Sequence, residues 1–342
     1  MTVPAAADSP EQAGPLATLR MLGAHLGRNP ALAAMAGVLA AAPLVLETHV
    51  VSLLTRAMIY GIAACCAGFL IRYGGMVSFG QAAFFGLGSY TGLVAQMHGL
   101  NEALVVWPLA MGVGGTAAFL VGALSLRVRG MSFIMITLGF AQMVYLVLSS
   151  LQPVGAADGL GLVGRNVLAG TPIGATWSFH LVVLAIALAT LALAHRIAQS
   201  HLGLALSGIR QNEQRVLALG YDTNRLRLIA FVAVGAITGL AGALAANFYV
   251  FVSPAYLHWI VSGEILVMAT LGGLGSLAGG LLGALVFLIA EAVLSDITTY
   301  WRIVFGPMVV VAVLFLDKGL YSALNACLLT VFGRVAWLNR SS

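Results

Sequence analysis

The side chains able to do chemistry in this sequence are few, and most of them stand together in RIAQSHLGLALSGIRQNEQRVLALGYDTNRLR, residues 196–227. Arg196, Arg210, Glu213, Arg215, Asp222, Arg225 and Arg227 lie there, in a chain of which only 8% is charged. What this mixture offers is ion pairing and hydrogen bonding, which is recognition rather than bond breaking. Leu204, Leu206, Ile209, Val216, Leu217 and Leu219 are spaced for one short amphipathic helix ended by Gly220, with Arg210, Asn212 and Glu213 near its middle. Two roles fit such a helix, a docking surface for a soluble partner or a solvated connector.

A second group of polar side chains sits inside apolar sequence. GGMVSFGQAAFFGLGSYTG, residues 74–92, carries Ser78, Gln81, Ser89, Tyr90 and Thr91; Thr137 and Gln142 follow. On a helix Ser78 and Gln81, three apart, would share a face. Glu264 and Glu291 are acids within or beside apolar runs, and an acid at membrane depth is a functional candidate by default. Both fall near the ends of their runs, where interfacial water would cover them, so neither is expected to serve as an ion-coupling site.

Several chemistries are missing. The single lysine, Lys318, stands in no G-x-x-x-x-G-K-[ST] motif, so the chain supplies no Walker A nucleotide site. The histidines and acids show no metal-ligand spacing, and neither a metal nor a cofactor is expected. Around Ser78, Met76 stands where a nucleophile elbow needs glycine, which removes support for an intramembrane serine hydrolase. Three cysteines give no disulfide framework, and the adjacent Cys65 and Cys66 read as small buried residues.

The elements that must position these groups are membrane helices. The 342-residue chain is 61% hydrophobic with a mean hydropathy of +1.01, whereas about 25% of an average soluble domain is charged. Its apolar runs approach the ~20 residues a spanning helix needs and lack the alternation of barrel strands. The expected fold is therefore all-α: a polytopic helical membrane protein of about ten transmembrane helices with broken, glycine-rich spans. The spans read as 31–46, 50–71, 76–97, 104–126, 131–151, 180–195, 228–251, 263–274, 277–294 and 303–316. Residues 1–30 form an N-terminal tail, 31–318 the transmembrane domain, and 319–342 a tail that is cytoplasmic, interfacial or a weak extra helix.

Orientation follows from the basic residues. With the N-terminus inside, Arg20, Arg28, Arg72, Arg127, Arg129, the five arginines of the polar loop 196–227, Lys318, Arg334 and Arg340 all fall on the cytoplasmic side. Arg165 and Arg302 fall outside and Arg56 within a span. The net charge of +5 is a topology signal, not a nucleic-acid one. The Gly/Pro-rich loop 152–179 then faces the periplasm of a bacterial inner membrane, as an ordered lid or as a contact for a soluble partner.

Two spans carry more glycine than lipid-facing helices need, 74–92 and 271–291, and both contain Gly-Leu-Gly-Ser. Glycines at such spacings let helices approach closely and permit broken spans, whose freed backbone groups need protein or a water-lined cavity around them. Ser78, Gly80, Gln81, Gly86, Gly88, Tyr90, Gly272, Gly273 and Gly275 are the candidate walls of a translocation path; ordinary small-residue packing is the other reading.

YGGMVSFGQAAFFGLGSYTG resembles the permease subunits of branched-chain amino-acid ABC transporters. LRVRGMSFIMITLGFAQM (126–143), HLGLALSGIRQNEQRVLALGYDTNRLRLIAFVAVGAITGLAGAL (201–244) and EILVMATLGGLGSLAGGLLGAL (264–285) agree with it in the same order, over roughly 50–320, and the longer, M-type (LivM-like) permease is the nearer of the two types. The resemblance implies a multi-pass inner-membrane subunit that pairs with a second permease as a heterodimer, rests with it on two ATP-binding cassette ATPases, and receives a small-molecule substrate from a periplasmic binding protein. It implies that 201–220 is the coupling helix, with Gly203, Ile209, Arg210, Asn212, Glu213 and Gly220 as its signature. Asp317-Lys318-Gly319-Leu320 replaces the usual Pro-x-Gly-Leu, and Met131-Ser132-Phe133 also departs from the family pattern. Permeases for urea and short amides share the same plan and are the alternative; an ion-coupled carrier acting alone is the alternative from another class.

Overall fold

Apolar runs that cannot leave backbone groups unpaired in hydrocarbon fold as helices, and helices dominate the structure, a computed structural model that describes residues 30–168, 171–172, 174–315, 319–322 and 325. Residues 1–29 of the expected N-terminal tail and most of the C-terminal one, and with them Arg20, Arg28, Arg334 and Arg340, lie outside the described residues, as does Lys318. The helices are α1 (Pro30–Val45), α2 (Thr48–Phe69), α3 (Gln81–Met97), α4 (Ala103–Ser125), α5 (Met131–Ser150) and α6 (Thr176–Gln199). After them come α7 (His201–Gln211), α8 (Glu213–Ala218), α9 (Thr223–Tyr249), α10 (Trp259–Gly272), α11 (Gly279–Ile297) and α12 (Trp301–Phe315). One π-helical turn, Leu70–Gly74, extends α2.

Among the described residues six helices are long and apolar enough to cross a membrane: α2 with its π turn, α4, α5, α6, α9 and α11. The remaining apolar helices are shorter. At about 1.5 Å per residue, the 17 residues of α3 and the 14 of α10 fall short of a ~30 Å hydrocarbon core. Helix length alone therefore supports six full-length spans among the described residues. The expected helix over 76–97 starts only at Gln81, so Ser78 precedes it and shares no helical face with Gln81. The glycine-rich run 263–294 is two helices, divided by a non-helical break between Gly272 and Gly279.

α9 is the central pillar, packed along α3 and α4, while α2 lies between α11 and α6. The crossings are close because glycines face backbone. A Cβ on Gly88 would collide with the Gly239 carbonyl, one on Gly242 with the Phe85 carbonyl, and one on Gly280 with the backbone of Cys65. Three glycines of the expected path walls thus serve close contacts here: Gly88 as above, Gly86, which receives Leu257, and Gly272, which meets the Gly279 carbonyl. Gly275 lies in the exposed turn between α10 and α11, and Tyr90 is buried among Leu93, Leu162 and Leu257.

The bundle has two distinct ends. At one, α7 and α8 form a helical elbow beside the π turn and the α10–α11 break. At the other, β1 (Leu160–Gly161) pairs antiparallel with β4 (Phe251–Val252), and β2 (Val167–Leu168) with β3 (Thr171–Pro172). Asn247 Oδ1 accepts from the Asn166 N–H at 2.7 Å, tying the loop 152–179 to the end of α9.

Candidate functional site

The polar stretch 196–227 folds as two helices meeting at Asn212, not as one helix ended by Gly220. Asn212 adopts an extended backbone, and its Oδ1 accepts from the Arg215 N–H, capping α8. Gly220, at φ +85°, turns the chain out of α8, and Asp222 then caps α9 by accepting from Asn224 and Arg225. Leu206, Ile209 and Val216 are buried, whereas Leu204, Leu217, Leu219 and Tyr221 are exposed. Gly203 seats the elbow, since a Cβ there would strike the carbonyls of Ile197 and Ala198.

Glu213 is the electrostatic centre of the elbow, with a side chain only 11% exposed. It accepts from Arg227 through both carboxylate oxygens at 3.1 and 2.9 Å, from Thr223 Oγ1 at 2.8 Å, and from Arg129 at 2.8 Å. The two-pronged Arg227 contact is the strongest kind of charge-assisted bond. The carboxylate thus holds α8 to the start of α9 and to the α4–α5 connection, and its bonds are spent inside the subunit.

Arg210 points the other way. Its guanidinium donates to the Arg72 carbonyl in the π turn, and its side chain lies on Gly75, where φ is +63° and a Cβ would stand 3.2 Å from Arg210 Cγ. Arg72 Nη1 in turn donates to the Leu274 carbonyl at 2.8 Å. The elbow, the end of α2 and the α10–α11 break are therefore joined by two arginines in series. Gly273, at φ +99°, shapes that break. Gly319 packs on it so closely that a Cβ would overlap Gly273. Tyr321, whose phenol burial pushes up, hydrogen-bonds Ser276.

The second non-helical stretch, 75–80, is held by side chains from other helices. Ser262 Oγ donates to the Phe79 carbonyl at 2.6 Å and accepts from the Ala82 N–H at 2.8 Å; Thr137 Oγ1 accepts from the Phe79 N–H at 3.2 Å. Ser78 Oγ accepts from the Gly80 N–H, and Thr238 donates to Gln81 Oε1 at 3.0 Å. Ser78, Gln81, Thr137, Thr238 and Ser262 are all buried. Sequence reading found Ser78, Gln81 and Thr137. It missed Ser262 and Thr238, which are single hydroxyls in apolar helices and carry no pattern of their own.

Among the described residues no group of three or more His, Cys, Asp or Glu could hold a metal, and Cys65 and Cys66 are buried free thiols. Glu291, near a span end, is also paired: Arg56 Nη2 bonds it at 3.3 Å.

Comparison with known proteins adds the family. The model described as branched-chain amino acid transport system / permease component matches residues 49–313. The chain is similar to the high-affinity branched-chain amino acid transport system permease protein LivM of Escherichia coli (strain K12), 26% identical over 81% of this chain and 71% of that protein. Its counterpart in Salmonella typhimurium is 27% identical over 84% of this chain and 74% of that protein. A stretch of 135 residues is 31% identical to LivH of Escherichia coli (strain K12), covering 39% of this chain and 44% of that one. No solved structure matches the chain. With the family model spanning most of its length, the chain belongs to the permease components of branched-chain amino acid transport systems.

Proposed function

We propose that this chain is one of two transmembrane subunits of an ATP-driven, binding-protein-dependent importer for branched-chain and other apolar amino acids. The observation that carries the reading is the elbow: a charged helical pair clamped to the bundle through Glu213 and joined through Arg210 and Arg72 to the α10–α11 break. A rigid lever with an exposed apolar edge, on a chain with no nucleotide motif, suits a push delivered by a separate ATPase. In this reading the chain crosses the membrane about ten times with its N-terminus cytoplasmic, α3 and α10 crossing beside non-helical backbone. The elbow meets an ATPase, the strand end meets a periplasmic binding protein, and a second permease of the LivH kind completes the path. The path runs by Ser78, Gln81 and Tyr90 and by the break at Gly272, Gly273 and Gly275.

The test is reconstitution of this chain with its second permease, the ATPases and the binding protein in liposomes, followed by uptake of radiolabelled leucine. ATP-dependent uptake that leucine, isoleucine and valine compete for, and urea and short amides do not, is the expected result. Uptake by this chain alone under an ion gradient would overturn it. Arginines pair with Glu264 and Glu291, which speaks against either as a free ion-coupling acid.

A further inference from the structure

Glu264 and Glu291 belong to a polar cluster that the elbow and the re-entrant stretches do not use. Arg56 lies about 12 Å along α2 from its strand-end terminus, and Glu291 about 9 Å from the strand-end terminus of α11. The two form an ion pair at 3.3 Å. Glu264 of α10 stands 3.9 Å from Arg302 of α12, and interacts electrostatically with Glu291 and Arg56. Three tyrosines line the same place. Arg56 lies 5.9 Å above the Tyr60 ring, Tyr249 contacts Arg56 and Tyr60, and Tyr256 stacks on Tyr249 at 5.7 Å.

Two facts set this cluster apart from a sealed structural bridge. The side chains of Arg56, Glu291 and Glu264 are 32%, 22% and 28% exposed. Charges at that depth are not turned to lipid; they line a water-filled cavity or face protein. The Arg56 fork is also only partly used by carboxylate: Nη2 serves Glu291 and Tyr249 hydrogen-bonds the guanidinium, while Nε is buried without a partner among the described residues. Two arginines against two glutamates leave the cluster without net charge, which suits a ligand that carries both signs. The rings continue inward: Tyr60 meets Phe85 of α3 at 5.3 Å, and Phe85 meets Tyr256 at 6.3 Å.

Resting on the importer reading above, we propose that Arg56, Glu264, Glu291 and Arg302, with Tyr60, Tyr249 and Tyr256, form a station for a zwitterionic apolar amino acid between binding protein and bilayer centre. The substrate carboxylate takes the spare donors of Arg56, its ammonium faces Glu264 and Glu291, and its apolar side chain packs on the tyrosine rings. Urea and amides lack the carboxylate and gain nothing here.

The test uses the assembled transporter with its binding protein in proteoliposomes, with leucine as the probe. Glu264→Gln removes a charge whose one ion pair here is long, and is expected to lower maximal leucine uptake about tenfold or more. Binding-protein-stimulated ATP hydrolysis and the leucine concentration for half-maximal uptake, set in the binding protein, are expected to stay. The exchanged pair Arg56→Glu with Glu291→Arg keeps an ion pair and therefore assembly, but reverses the field the substrate meets, and is expected to stay below a tenth of normal uptake. Full uptake in the exchanged pair, or in Glu264→Gln, overturns the proposal by reducing the cluster to a structural bridge. An unmutated complex that takes up no amino acid would instead sink the importer reading.

Discussion

Arg210 and Arg72 are joined head to tail: the guanidinium of the first donates to the backbone carbonyl of the second, whose own guanidinium holds the Leu274 carbonyl at 2.8 Å. The elbow therefore reaches the α10–α11 break through one residue, and Arg72 is the link that can be cut without touching either end. Arg72→Ala is expected to leave ATP hydrolysis by the assembled transporter within about twofold, while uptake per ATP falls by tenfold or more. A bond from a charged donor is worth about 1.5–3 kcal/mol, enough for that change. Equal losses of hydrolysis and uptake would argue that Arg72 only supports the fold.

Glu213 has partners of unequal weight, and that inequality is testable. The Arg227 pair is 11% exposed on both sides, whereas the Arg129 side chain is 58% exposed. Arg227→Ala leaves a largely buried carboxylate short of its charge partner and is expected to destabilise the subunit by about 3–5 kcal/mol. Arg129→Ala removes a solvated pair worth under about 1 kcal/mol. Thermal unfolding of the purified complex measures both. Glu213→Lys, which sets a positive charge beside Arg227 and Arg129, is expected to abolish uptake while the chain still inserts in the membrane.

The glycines of α3 divide by what faces them. A methyl on Gly88 would meet the Gly239 carbonyl, whereas one on Gly92 would touch Ala246 Cβ at 3.9 Å, an ordinary contact. Gly88→Ala is expected to force α3 and α9 apart, lowering the yield of folded protein and losing uptake. Gly92→Ala is expected to be tolerated, with unfolding within about 0.5 kcal/mol of normal. Similar behaviour of the two variants would mean that the α3–α9 crossing is looser than the backbone contacts imply.

What the sequence made legible was whatever depends on composition along one helix. The apolar runs located the helices of the bundle to within a few residues, and the charged stretch 196–227 marked the elbow. Breaks were harder to read. Met76–Gly80 is apolar enough to pass for helix, and the hydroxyls of Ser262 and Thr137, arriving from distant helices, pair its backbone outside a helix. Asn212 looked like a mid-helix residue because capping depends on its backbone angles, not on its neighbours in sequence. Arg72 and Arg56 stood out as charges, but nothing along the chain couples residue 72 to residue 274, or 56 to 291. Such pairings belong to tertiary structure.

Ser262 supplies the last prediction because it holds the non-helical stretch 75–80 from both sides of one hydroxyl. Its Oγ accepts from the Ala82 N–H and donates to the Phe79 carbonyl, and the residue is wholly buried. Ser262→Ala leaves a buried N–H and a buried carbonyl unpaired, each at about 1–3 kcal/mol, with no water in the hydrocarbon to take them. The 76–82 backbone is then expected to open more often, while α9 and the elbow are unaffected. Amide hydrogen exchange resolves this by location: faster exchange confined to that stretch is expected, and unchanged exchange there would show that Thr137 and Thr238 suffice to hold it. Ser262→Thr, which keeps the hydroxyl, is expected to restore most of the protection, so a loss seen in both variants would point to crowding rather than to the missing bonds.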